Sequence, residues 1–237
     1  MTEHIHWTER ASDSPFVERV WHSHSDSGGA FISTAESHWE MVVTTYQGCT
    51  TVTLRGPETR ATPAYCPPGA ESCGIVFKSG AFMPKFPVSM VMDRHDLNLP
   101  LASGNSFWLN SSSWQFPDFE NADTFVDRLV REDLLIYDPL VDVALREQPP
   151  ALSRRTIQRR FLQATGLTYN TIYQIQRAQY ATKLLKQGTP ILDVVETAGY
   201  SDQSHMTRAL KQLIGLTPAR IINADTRMSF LFKTHTF

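Results

Sequence analysis

Two short stretches of the chain hold side chains that could read the edges of base pairs. The first contains Arg155, Gln158 and Arg159; the second contains Gln203, Ser204, His205 and Arg208, with Lys211 just beyond. A guanidinium offers a planar fork that matches guanine O6 and N7, and a Gln amide can bond adenine through two points. Lys183, Lys186, Lys211 and Arg220 are of the type that meets phosphate oxygens, contacts that give affinity without sequence information. A different chemistry is conceivable near the start. His22-Ser23-His24, with Glu36, His38 and Glu40, contains the residue types of a cupin metal set. The flanking glycine pattern of such sites is missing, and residues 25–29 read as a loop. The plainer expectation is solvent-exposed histidines ahead of the first strand, with no metal or cofactor assigned. Neither a GxSxG nor a GxGxxG stretch occurs, so no catalytic residue is assigned and an enzyme is not expected. A metal-dependent cupin enzyme carrying a DNA-binding tail is the alternative.

The elements that must position these residues differ between the two halves. Trp39 to Tyr46, Thr50 to Arg55 and Gly74 to Lys78 are rich in β-branched and aromatic residues and are bounded by Gly and Pro. They read as strands of an antiparallel sandwich or barrel, and Val88 to Met92 as a further strand. Phe77, Phe82, Phe107, Trp108, Trp114 and Phe116 are expected in the core, with an apolar ligand pocket as the alternative. From Ala122 to Ile136 the apolar spacing of 3 and 4 predicts an amphipathic helix.

After that the chain reads as helical throughout. Ser153 caps a helix that places Ile157, Phe161 and Leu162 inward and ends at Gly166. Thr168 caps a longer helix ending at Gly188, with Ile172, Ile175, Ala178, Ala181, Leu184 and Leu185 on its buried face. Thr189-Pro190 opens a short helix, Gly199 breaks it, and Ser201 is read as the cap of the next, which buries Met206, Leu210 and Leu213. Thr217-Pro218 opens a last short helix. The fold class expected is α+β: a β-rich, cupin-like part over residues 1–137, then an all-α part over residues 138–237.

Charge divides along the same line. The chain of 237 residues has a formal net charge of -2, yet residues 1–137 sum to about -8 and residues 138–237 to about +6. The basic half suits a nucleic-acid partner; a merely solvated basic face is the bland alternative. Cys49, Cys66 and Cys73 form no CxxC pair, which argues against a disulfide framework or zinc knuckle. No run of about 18 apolar residues exists and the first residues do not read as a signal peptide, so no membrane partner is expected and the cytoplasm is the expected compartment.

The two base-reading stretches lie in a weak internal repeat. SRRTIQRRFLQATGLT from Ser153 and SDQSHMTRALKQLIGLT from Ser201 each carry an Arg seven residues on, Arg160 and Arg208, and each ends in Gly-Leu-Thr. Two helix-turn-helix units joined by a helix of about 30 Å could reach successive major grooves, which are about 34 Å apart. LSRRTIQRRFLQATGLT and AGYSDQSHMTRALKQLIGLTPARI resemble the DNA-binding domain of AraC/XylS-type transcription regulators. The resemblance implies base contacts by Arg155, Gln158 and Arg159 in the first unit and by Gln203, Ser204, His205 and Arg208 in the second. It further implies double-stranded DNA and RNA polymerase as partners, and an N-terminal part that binds a small-molecule effector, forms a homodimer, or both. A histidine at 205 could instead only cap or pack. One departure stands out: Pro149-Pro150 crowds the place where the supporting helix of the first unit belongs, so that helix is either shortened or supplied by Leu140 to Arg146.

Overall fold

Strand formation in the first half follows from alternation. In Glu40–Tyr46, Met41 and Val43 point to one face while Val42 points to the other, and all three are buried. The structure is a computed structural model that describes residues 5–93, 96–146 and 153–223. Strands run β1 Ile5–Arg10, β2 Val17–Ser25, β3 Gly29–Ser33, β4 Glu40–Tyr46, β5 Cys49–Arg55, β6 Thr62–Cys66, β7 Glu71–Phe77, β8 Ala81–Phe82, β9 Leu97–Leu99, β10 Ser106–Leu109, β11 Ser112–Gln115 and β12 Ile136–Tyr137. Six of them form an antiparallel sheet in the order β1-β2-β7-β4-β5-β9, and β10-β11, β12-β8 and β3-β6 form two-stranded sheets.

Register shows how the core is laid. Val20 pairs with Ile75, Ile75 with Met41 and Met41 with Leu54, so one apolar row crosses four strands. Onto this face pack Phe107, Leu109 and Trp114 of the β10-β11 hairpin and Phe125, Val126 and Leu129 of α1, Ala122–Arg131. Trp39 stacks on Phe77 with ring centroids 4.3 Å apart and donates its indole N–H to the Ala81 carbonyl at 2.6 Å. On the opposite face, Trp21 and Trp7 stack at 4.4 Å and cover Val42 and Val76.

The remaining helices are α2 Pro139–Arg146, α3 Arg154–Thr165, α4 Tyr169–Lys186, α5 Ile191–Thr197, α6 Gln203–Leu213 and α7 Pro218–Ile222. Their apolar residues, among them Phe161, Ile172, Ala178, Val194, Met206 and Leu210, belong to the same contiguous core cluster as the sheet. Main-chain bonds join α6 to the β-rich half: the Ala35 N–H donates to the Leu213 carbonyl at 2.7 Å and the Ala61 N–H to that of Gln212 at 2.8 Å. These carbonyls belong to the last turn of α6, which has no intrahelical donor for them. Gly215, at φ +84°, lies against Ile32 and Ala61; a Cβ there would stand 2.8 Å from the Ile32 side chain.

Several expectations need correction. Val88–Met90 is a single 3-10 turn rather than a strand, since Pro87 precedes it and the chain then bends away. The helix expected to reach Ile136 stops at Arg131, and Leu134 and Leu135 are buried from a turn that leads into β12. His22 and His24 are not in a loop before the sheet but within β2. Trp108 is 45% exposed and Leu162 44%, whereas Phe77, Phe82, Phe107 and Trp114 are buried. Pro149-Pro150 lie outside the described residues; α2 packs on α3 and occupies the place of the supporting helix.

Candidate nucleic-acid interface

The second unit is built from α5, a turn and α6. Its turn pivots on Gly199 at φ +69°, a left-handed conformation that costs glycine little. Asp202, not Ser201, is the N-cap of α6: its carboxylate accepts from the His205 N–H at 2.7 Å, and Ser201 donates its hydroxyl to Asp202. The bonds from the His205 backbone and the Ser201 hydroxyl hold the Asp202 carboxyl below the usual range, with Arg208 adding to the effect. Likewise Pro190 stands at the N-cap of α5, and Thr189 makes no side-chain cap there.

Burial sorts the helix faces. Met206, Leu210 and Leu213 face the core, while Gln203, Ser204, Arg208 and Lys211 are exposed. His205 is half-buried: its ring lies edge-on to Tyr200 at 5.3 Å, and its Nδ1 is 3.1 Å from the Ser201 hydroxyl. On α3, capped by Ser153 through the Thr156 N–H, Phe161 and Ala164 are buried, while Arg155, Gln158 and Arg159 are exposed. Arg160, the repeat partner of Arg208, is instead tied to Asp138 at 3.2 Å. Between the units α4, capped by Thr168, has 18 residues and so spans about 27 Å. Lys211 and Arg220 are exposed, Lys186 stands at the end of α4, and Lys183 is half-buried.

Arg177 was not picked out by its position in the sequence. From α4 its guanidinium lies 4.1 Å over the Tyr200 ring and donates to the Gly199 carbonyl at 3.3 Å. It thereby holds the turn before α6, and the only sequence signal was an Arg among the polar residues of a helix, which many positions share.

The metal candidates do not come together. His22 pairs with Glu71 at 2.9 Å, His38 with Glu36 at 2.8 Å, and Glu40 accepts the Trp21 indole N–H. Among the described residues no group of three His, Cys, Asp or Glu is placed to hold a metal ion. Burial, with Asp118 nearby, pushes the Cys73 thiol up to about 12, so it is no reactive thiolate. No helix among the described residues is long and apolar enough to cross a membrane.

Comparison with known proteins agrees with this geometry. The family described as "Helix-turn-helix domain" matches residues 151–224. The chain is 32% identical over 97 residues to the HTH-type transcriptional regulator RipA of Corynebacterium glutamicum, a match covering 40% of this chain and 29% of that protein. It is 34% identical over 96 residues to RipA of Corynebacterium diphtheriae, covering 39% and 28%. The chain thus spans under a third of the length of these curated relatives. ToxT from Vibrio cholerae superposes over 93% of this chain and 98% of its own at a TM-score of 0.40 and 10% identity, too loose a likeness to argue from. On the matched family, the two relatives and the paired helices above, residues 151–224 of the chain are an AraC/XylS-type helix-turn-helix domain.

Proposed function

We propose that the whole chain is a sequence-specific DNA-binding transcription regulator, with residues 138–237 on DNA and residues 1–137 as its effector-binding or dimerising part. One observation supports this most: two recognition helices, α3 before and α6 after an 18-residue connecting helix in the chain, expose Arg155, Gln158 and Arg159 and Gln203, Ser204, Arg208 and Lys211. His205, half-buried beside Tyr200 and Ser201, joins the second set. The basic charge of this half favours phosphate contact, and each neutralised phosphate releases counterions. A regulator of this kind works on promoter DNA beside RNA polymerase, in the cytoplasm, and needs no catalytic group.

The test is selection of bound duplexes from a random library by the full chain, followed by titration of the selected and scrambled sequences over a range of salt. We expect a preference of about 10³-fold or more and a log–log salt slope of several units. Equal affinity for selected and scrambled duplexes at moderate salt overturns the proposal.

A further inference from the structure

The inner face of the six-stranded sheet changes character along its strands. The row Val20, Ile75, Met41 and Leu54 is buried. Two residues further along each strand, on the same face, His22 pairs with Cys73, and Cys73 with Val43. Two further still, Glu71 pairs with Thr45, and Thr45 with Thr50. The helix and hairpin that seal the first row do not reach these. Instead the segment from Gln115 to Asn121 arches over them and leaves a cavity of about 630 Å³, a size usual for small-molecule sites.

That arch is held in place. Arg10 donates from Nε to the Phe119 carbonyl at 2.9 Å and from Nη1 to Asp123 at 2.7 Å, and Ser12 bonds the other oxygen of Asp123. Asp118 accepts the N–H groups of Glu120 and Asn121, closing the bend. The Phe119 ring already has the Arg10 guanidinium 5.4 Å from its centroid and the His22 ring at 6.3 Å.

The lining is richer in acid than in base. Glu71, Asp118 and Glu120 border the cavity, Glu71 paired with His22 at 2.9 Å, and no Lys or Arg does; Arg10 lies beyond it, committed to Asp123 and Phe119. Thr45, Thr50, Ser72, Asn105 and Gln115 supply neutral hydrogen-bonding groups, and Phe116 and Phe119 supply aromatic surface. Carboxylates and ring faces attract a cation and disfavour an anion. The Cys73 thiol on the floor is raised by its burial and then by Asp118, with Arg10 opposing.

We propose that this cavity binds a small organic cation, an amine or guanidine of the size of agmatine or spermidine. The class rests on the reading of the β-rich part as effector-binding, and differs from the apolar ligand that its aromatic content alone would favour, because most of those rings are in the core.

The experiment uses the full chain, with agmatine and spermidine as cationic probes, glucose as a neutral one and citrate as an anionic one. Melting temperature and isothermal titration calorimetry are read at two salt concentrations. Expected are saturable binding of at least one cation and a raised melting temperature. A Glu71→Gln/Glu120→Gln double variant should weaken binding tenfold or more. Thr45→Trp, which fills the cavity from an exposed strand position without changing charge, should abolish it. Absence of saturable binding by either cation, or unchanged affinity in both variants, overturns the proposal. If glucose or citrate binds and Thr45→Trp abolishes that binding, the cation class is wrong and the effector reading stands. If a cation binds as expected but changes affinity for the selected duplex no more than in Thr45→Trp, the cavity stands and its effector role falls.

Discussion

Arg160 and Arg208 occupy equivalent places in the internal repeat, yet only one is free to read bases. Arg160 is spent on Asp138, at the entry to α2. Arg208 is exposed one turn beyond Ser204, on the same face of α6. Arg208→Ala is therefore expected to cost about 1–3 kcal/mol at the selected site and to relax preference at one base pair. Lys211→Ala should weaken all duplexes about equally and lower the salt slope by roughly 1. Both are measured on the selected site and on every single-base substitution of it; an even loss across that panel for Arg208→Ala would remove its base-reading role.

At the scale of elements, aim depends on caps. The Asp202 carboxylate fixes the first turn of α6, and its hydrogen bonds depress its folded pKa. A depressed carboxylate contributes stability that is fully present above its ordinary pKa, about 4, and is lost as pH falls through the lower folded value. Asp202→Ala should thus lower the melting temperature at neutral pH, whereas Asp202→Asn, which can still cap, should retain most of it and lose the acid dependence. Thermal melts of the three proteins between pH 2 and 7 check this; identical profiles would show that the cap contributes nothing. Thr168, capping α4 through the Thr171 N–H at 3.1 Å, sets the start of the connecting helix. Thr168→Ala should cost about 1 kcal/mol in denaturant unfolding, with Thr168→Ser near the parent.

At the scale of the whole molecule, the helices and the sheet share one buried cluster, and α6 ends on main-chain donors of the loops next to β3 and β6. Shared burial couples the unfolding of the parts, so calorimetry of the full chain should show one cooperative transition. Phe161→Ala, in that common core, should lower it by about 3–5 kcal/mol. Gly215→Ala forces a side chain into a left-handed conformation and against Ile32, and should cost about 1–3 kcal/mol. Two separated transitions in the parent, with Gly215→Ala moving only one, would show that the halves unfold independently.

The sequence by itself determined the local features of the helical half. Ser153, Thr168 and Thr217 cap helices because a short hydroxyl side chain can reach the N–H three residues on, a contact made within one turn. Apolar spacing placed Phe161, Ile172, Met206 and Leu210 inward for the same local reason, and a basic, repeated pattern marked the exposed helix faces. Only the tertiary structure decided which arginine of the repeat is free, because Asp138 reaches Arg160 from the entry to α2. It alone showed Arg177 on Tyr200, since no spacing along α4 reveals a contact made across it. It also placed β1 and β2, whose polar, histidine-bearing residues lack a strong strand pattern and pair because β7 and one another supply their hydrogen bonds, and β3, which pairs with β6. The cavity is the clearest case. Its lining comes from β2, β4, β5, β7 and β11 and from loop residues far from them in sequence, and only the packing of the loop after β11 over the sheet brings Asp118 and Glu120 to Glu71.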